Sequence, residues 1–188
     1  MDRRNFILSA TALAALSISA CSREAAVPPE PGTPTSLAGV RGQAHGFQAG
    51  NAMARAQAVV FFDTQCPHCG SLWRAAEALH DKVNILWVPC GLLNRASVSQ
   101  GAALLEAQNP VLAMHEHEQL LSSGRGGMAA SGAPSRALID QIRSNTALFS
   151  RIGGTSVPLL VRERDGALQL RTGSMSTAEL AHLMGLPE

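Results

Sequence analysis

Residues 58–70 read AVVFFDTQCPHCG: an apolar, β-branched and aromatic run, then Asp63, Thr64 and Gln65, then two cysteines separated by Pro67 and His68. A run of that composition suits a strand buried on both faces of a sheet. The proline fits the first turn of a helix, where its missing N–H costs nothing. From Cys66 onward Leu72, Ala75, Ala76 and Leu79 recur at helical spacing, which predicts a helix to about Lys82. Val83 to Pro89 (VNILWVP) then reads as a second buried strand. Strand, helix and strand in that order make a βαβ unit, with parallel strands and a right-handed crossover. The chain is thereby committed to an α/β sheet with a cysteine pair at a strand-to-helix junction.

The flanking segments extend that unit. Residues 44–50 predict a short edge strand bounded by glycines. From Ser97 to Ile152 the pattern is helical: one segment to about Gln108, another over Pro110–Ser122, and a third over Pro134–Ile152 after the break GRGGMAASGAP. Val157 to Glu163 reads as a strand, Asp165-Gly166 as a hairpin turn, and Leu168 to Thr172 as the return strand. Ser176 to Met184 closes the chain as a helix, capped by Ser176 or Thr177 with Glu179 in its first turn. The expected fold class is α/β, a thioredoxin-like layout over residues 44–188 with an all-α subdomain inserted at about 97–152.

The start of the chain reads differently. Asp2, Arg3, Arg4 and Asn5 precede an apolar run, Phe6 to Ala20, of about fifteen residues, too short to span a bilayer comfortably. Residues 1–20 are expected to be a signal peptide. Ile18-Ser19-Ala20-Cys21 resembles a bacterial lipobox, in which Cys21 is lipidated and becomes the anchored N-terminus. Arg3-Arg4-Asn5-Phe6-Ile7 also resembles a twin-arginine export signal, with Asp2 and Leu8 departing from its usual flanks; an ordinary secretory signal with a chance cysteine is the alternative. Residues 21–43, with Pro28, Pro29, Pro31 and Pro34, are expected to form an extended tether. The formal net charge of +1 over 188 residues shows no basic patch of the kind nucleic acid requires.

Export decides what cysteines do, because a pair outside the cytosol can remain oxidised. With Cys21 assigned to lipid, Cys66, Cys69 and Cys90 remain. If Cys66 and Cys69 pair, Cys90 has no partner and reads as a small buried hydrophobe after a strand. A cysteine at a helix N-terminus sits among unpaired backbone N–H groups that favour its thiolate. Cys66 is the expected nucleophile, and Cys69, one turn on, the expected resolving thiol. Pro67 keeps the turn tight and His68 adds positive charge; both favour the reduced state and make the disulfide more oxidising.

Other uses of the pair compete. A zinc clamp needs four ligands, and His115 and His117, spaced as they are, point apart on a helix. Haem attachment requires a histidine where Gly70 stands. A structural staple closing so short a loop removes little chain entropy. Asp63 is either a local hydrogen-bonding residue or a proton relay to Cys69; Trp73 reads as packing, and the methionines as filling.

Gly153-Gly154-Thr155-Ser156-Val157-Pro158 is the second signal, because a proline opening a central strand is costly unless the site demands its geometry. CPHC at a strand-to-helix junction, a helical insertion, and Thr-Ser-Val-Pro before a strand resemble the thioredoxin superfamily, in particular periplasmic disulfide-exchange proteins of the DsbA, DsbC and DsbG type. The resemblance implies that Pro158 is a cis-proline beside the active disulfide and that Val157 pairs through its backbone with the substrate chain. Asp63, Trp73 and the insertion are similar to DsbC and especially DsbG, whereas His68 and Val157-Pro158 are similar to DsbA. The N-terminal dimerisation domain of the isomerases has no counterpart in the short, Pro-rich stretch before residue 44, so a monomer is expected.

The expected protein is therefore a periplasmic, lipid-anchored thiol-disulfide oxidoreductase needing no cofactor beyond the Cys66–Cys69 pair. Its partners would be cysteine-containing protein substrates and a membrane redox protein that recharges the pair. A sulfenic-acid reductase on the same fold, and a non-catalytic metal-binding or metallochaperone module using Cys66, Cys69 and a histidine, are the alternatives.

Overall fold

The computed structural model describes residues 32–129 and 132–187. The expected signal peptide, Cys21 and residues 21–31 of the expected tether lie outside the described residues. In chain order the elements are α1 (Leu37–Gln43), β1 (Phe47–Gly50), β2 (Ala56–Asp63), α2 (Pro67–Glu77), β3 (Val83–Cys90), α3 (Arg95–Glu106), α4 (Pro110–Ser122), α5 (Arg136–Arg151), β4 (Leu159–Arg164), β5 (Ala167–Thr172) and α6 (Thr177–Leu183). Among the described residues no helix is long and apolar enough to cross a membrane.

The sheet order is β1-β3-β2-β4-β5, with β2 in the middle. β2 runs parallel to β3 from the Ala56–Val83 pair to the Asp63–Cys90 pair, as the βαβ pattern requires. β1 against β3, β2 against β4, and β4 against β5 are antiparallel. The β4–β5 hairpin turns on Asp165 and Gly166, whose positive φ angles of 54° and 74° suit a tight two-residue connection.

Successive residues of β2 serve two cores. Ala58, Val60 and Phe62 face α2, α4 and α6, where Leu72, Trp73, Ala76, Met114 and Leu180 pack. Val59 and Phe61 face α1 and α5, against Leu37, Val40, Leu148 and Phe149. Helices on both faces explain why the strand is apolar throughout rather than alternating. Trp73 packs as expected, its ring 4.9 Å from that of Trp87 and 6.2 Å from that of Phe47.

The inserted helices are tied into the sheet by Asn145 of α5. Its buried amide donates to the carbonyls of His45 (2.7 Å) and Pro89 (2.9 Å), and its oxygen accepts the His45 N–H (2.8 Å).

Three expectations need correction. The expected tether of residues 21–43 is helical over Leu37–Gln43, and Leu37 and Val40 are buried, so the folded domain begins before residue 44. Ser36 caps that helix by accepting the Gly39 N–H at 3.1 Å, but two glycines in LAGVRGQ leave little intrinsic helix preference, and burial against the sheet holds it. Helix α2 ends at Glu77 rather than about Lys82 because Leu79, His80 and Lys82 each bond back three residues, which tightens the last turn. Val157 and Pro158 precede β4 rather than opening it; the β2 ladder begins at the Phe61–Leu159 pair, one residue after the proline that has no N–H to give.

Candidate functional site

β2 delivers the chain to Asp63, and Thr64 and Gln65 turn it into α2. The Cys66 N–H bonds the Asp63 carbonyl at 3.1 Å, closing that turn. Cys66 is the N-cap residue of α2, extended in conformation (φ −96°, ψ 112°), with Pro67 as the first helical residue. Its side chain makes no cap hydrogen bond, and the His68 and Cys69 N–H groups of the first turn lie near enough to favour a negative sulfur.

The two thiols differ sharply in environment. Cys66 is 5% exposed and Cys69 fully buried, and both are free thiols, as is Cys90. The Cys66 thiol is held down to about 6, first by a hydrogen bond from the Cys69 thiol, against burial, and then by the backbone N–H groups of Cys69 and His68 and the His68 charge. Burial and the neighbouring Cys66 push the Cys69 thiol far above its ordinary value. Cys90 ends β3, buried, and its thiol is likewise raised, chiefly by burial.

Val157 and Pro158 reach this pair from the far end of the chain. The Val157–Pro158 peptide bond is cis. The Cys66 sulfur lies 3.6 Å from the Val157 carbonyl oxygen, to which the thiol donates. Cys66, Cys69, Pro67, His68, Val157 and Pro158 thus come together, although ninety-one positions separate Cys66 from Val157.

Asp63 is fully buried and spends both oxygens on three backbone N–H groups and one hydroxyl. One oxygen accepts the Gln65 N–H (2.9 Å) and the Ser97 hydroxyl (2.7 Å); the other accepts the N–H groups of Leu92 (2.8 Å) and Leu93 (3.0 Å). These bonds clamp the turn before Cys66 to the loop after β3, the geometry of a local hydrogen-bonding residue.

Side chains of the insertion complete the surroundings, and sequence reasoning did not single them out as site residues. Gln65 donates to Gln100 (2.6 Å) and to the Gly126 carbonyl (3.0 Å), while Gln100 donates to the carbonyls of Gly126 (2.9 Å) and Met128 (3.1 Å). His117, buried in α4, donates through Nε2 to the Thr64 carbonyl (2.7 Å) and accepts the Met128 N–H at Nδ1 (3.1 Å). These contacts draw the Gly-rich segment after α4 onto the loop before Cys66. His115 points elsewhere, to Glu77 at 2.9 Å. Among the described residues no group of three or more His, Cys, Asp or Glu side chains is arranged to hold a metal ion. Glu118, also buried, lies against Gly70 in the first turn of α2. In the sequence it belongs to HEHEQ, which carries the signature of a solvated helix face, so no local signal marks it.

A five-stranded sheet with helices on both faces, a cysteine at the start of the helix after the central strand, and a cis-proline beside it make a thioredoxin-like fold, similar to that of Dsb-type proteins. No protein-family model matches the chain. The thiol:disulfide interchange protein DsbG of Pseudomonas aeruginosa is 28% identical over 143 residues, covering 72% of this chain and 54% of that protein. The chain therefore spans about half the length of that relative. Proteus mirabilis ScsC in a compact conformation superposes with a TM-score of 0.65 at 16% identity, over 84% of this chain and 81% of that one. A periplasmic thioredoxin-like protein from Salmonella enterica serovar Typhimurium gives a TM-score of 0.60 at 18% identity, over 75% and 88% of the two chains.

Proposed function

We propose that the protein is a periplasmic thiol-disulfide oxidoreductase that exchanges disulfides with cysteine-containing protein substrates. The observation that carries this reading is the Cys66 sulfur: held down to about 6 at a helix N-terminus and set 3.6 Å from the Val157 carbonyl. A thiolate is the attacking form in disulfide exchange, so at neutral pH Cys66 is ready to react. Its sulfur bonds to one sulfur of a substrate disulfide, and the other substrate sulfur leaves as a thiolate. Cys69 then gives its proton to solvent and attacks the Cys66 sulfur, which closes the pair and releases the second substrate thiolate. Oxidation of a substrate dithiol is the same sequence reversed. Val157 offers backbone to an extended substrate beside the reacting sulfur, and Pro158 sets its direction.

The pair needs no further cofactor. The Pseudomonas aeruginosa relative, a thiol:disulfide interchange protein, supports disulfide interchange, and the Salmonella neighbour of the same fold is itself periplasmic. In this reading Cys21 carries a lipid that holds the domain at a membrane, where a redox partner recharges Cys66 and Cys69.

The test is covalent capture. A Cys69→Ala variant expressed in an exporting cell should accumulate mixed disulfides with exported proteins, visible without reductant and released by it. Adducts should vanish when Cys66 is also changed to Ser. A Cys69→Ala protein that is exported and captures nothing overturns the proposal.

A further inference from the structure

Two carboxylates are buried among the described residues, Asp63 and Glu118. Asp63 is satisfied by four donors; Glu118 is not. Its side chain lies in a residue only 5% exposed, and its Oε1 is buried with no hydrogen-bond partner. The carboxyl group occupies the space over Gly70, where an added Cβ would come within 2.7 Å of Glu118 Cδ and closer still to Oε2. Gly70 directly follows Cys69, and its N–H bonds the Cys66 carbonyl at 3.3 Å. The bare backbone at residue 70 thus admits an acid from α4 to the first turn of α2, beside the cysteine pair.

A charged carboxylate with an unpartnered buried oxygen is expensive. A thiolate at Cys66 places a second negative charge beside the α2 turn that Glu118 lies against, and two like charges in a poorly solvated site titrate as a coupled pair. We propose that Glu118 is the redox-linked proton carrier of this centre: uncharged while Cys66 is a thiolate, and ionised once the Cys66 sulfur is bound in a disulfide. The inference rests on the disulfide-exchange reading of Cys66 and Cys69. Glu118 acts through Cys66 and touches no reacting atom.

The surrounding charges fit this role. Burial raises Glu118 to about 7; the Arg74 guanidinium opposes the rise, and Cys66 and Glu77 add to it. Its own helix contributes His115, which is paired with Glu77 at 2.9 Å, and His117, whose ring is bonded to Thr64 and Met128. Of the other elements packed against α4, β1 carries no titratable side chain, and α3 carries Arg95 and Glu106 only at its two ends.

The proton count follows the sulfur chemistry. When Cys69 closes on Cys66, an S–S bond forms between them, the Cys66–substrate bond breaks, and the electron pair leaves on the substrate sulfur. The proton of Cys69 passes to solvent at a stage when Cys66 bears no charge, so Glu118 is free to ionise and gives its own proton to solvent as well. Reduction restores the thiolate, raises the proton affinity of Glu118 and draws one proton onto it. Between the two Glu118 midpoints, acid therefore favours the reduced pair more steeply than the thiols alone require.

The test follows the carboxyl carbon of Glu118 by NMR in protein labelled with carboxyl-13C glutamate, its resonance assigned by loss in Glu118→Gln. In reduced protein the midpoint should lie about one unit above that in oxidised protein, a tenfold difference in proton affinity. Cys66→Ser, which has no thiolate, should match the oxidised form. Equal midpoints in reduced protein, oxidised protein and Cys66→Ser overturn the inference. Thiolate absorbance recorded on the same samples separates the two failures: a Cys66 that ionises normally near 6 beside an unresponsive Glu118 sinks this inference alone, whereas a Cys66 without a low midpoint sinks the disulfide-exchange reading.

Discussion

Cys66 is almost wholly buried yet more acidic than an ordinary thiol, because what surrounds it is a thiol donor and helix N–H groups rather than hydrocarbon alone. That acidity is also a statement about stability. A thiol depressed from 9.0 to about 6 in the folded, reduced protein favours folding wherever the thiolate exists. The contribution is whole above about pH 9, shrinks as the pH falls and is gone below about pH 6. The thermal midpoint of the reduced protein, less that of Cys66→Ser, should therefore rise from pH 6 to pH 9; a flat difference contradicts the depressed thiol. Asp63 shows a different use of a buried carboxyl group. Four donors from the chain around it clamp the turn before Cys66 to the segment after β3.

Among the elements, α2 starts directly after Cys66 while α4 and α5 belong to the insertion, and polar joints supplement the apolar packing that holds the inserted helices to the sheet and its loops. Asn145 is the clearest such joint, since it satisfies the backbone of His45 before β1 and of Pro89 in β3 from one buried amide. Asn145→Ala removes three hydrogen bonds and strands buried carbonyls, and should lower stability by about 2–4 kcal/mol in denaturant titration. Because α5 ends shortly before the Val157–Pro158 loop, the same variant should weaken Cys69→Ala adduct formation at temperatures where the wild type is still folded. His117 and Gln100 make a second joint, drawing the Gly-rich segment after α4 onto the loop before Cys66.

At the scale of the whole molecule the sheet is closed on both faces, and α1 supplies part of one lid. Leu37 and Val40 cover Val59, Phe61 and Val161, and burying two aliphatic side chains of this size is worth about 3–6 kcal/mol. A chain shortened to begin at residue 44 should melt well below one beginning at residue 32 and expose apolar surface to a hydrophobic dye; equal melting of the two contradicts the lid. The sequence alone was sufficient for the βαβ unit, the hairpin at Asp165-Gly166, the capped last helix and the position of Cys66 at a helix start. Each of those depends on hydrophobic period, turn chemistry or missing N–H groups within about ten residues, and such local physics is written in the order of residues. Helix α1 was illegible for the opposite reason: its glycines argue against a helix, and only the waiting face of the sheet makes one. Glu118 was illegible because its neighbour Gly70 lies forty-eight positions earlier, and no local pattern shows that an exposed-looking acid faces a gap beside a thiol. Tertiary structure decided the meeting of Cys66 with Val157 and of Glu118 with α2, since through-space electrostatics and burial depend on which distant segments pack together, and period alone does not record that.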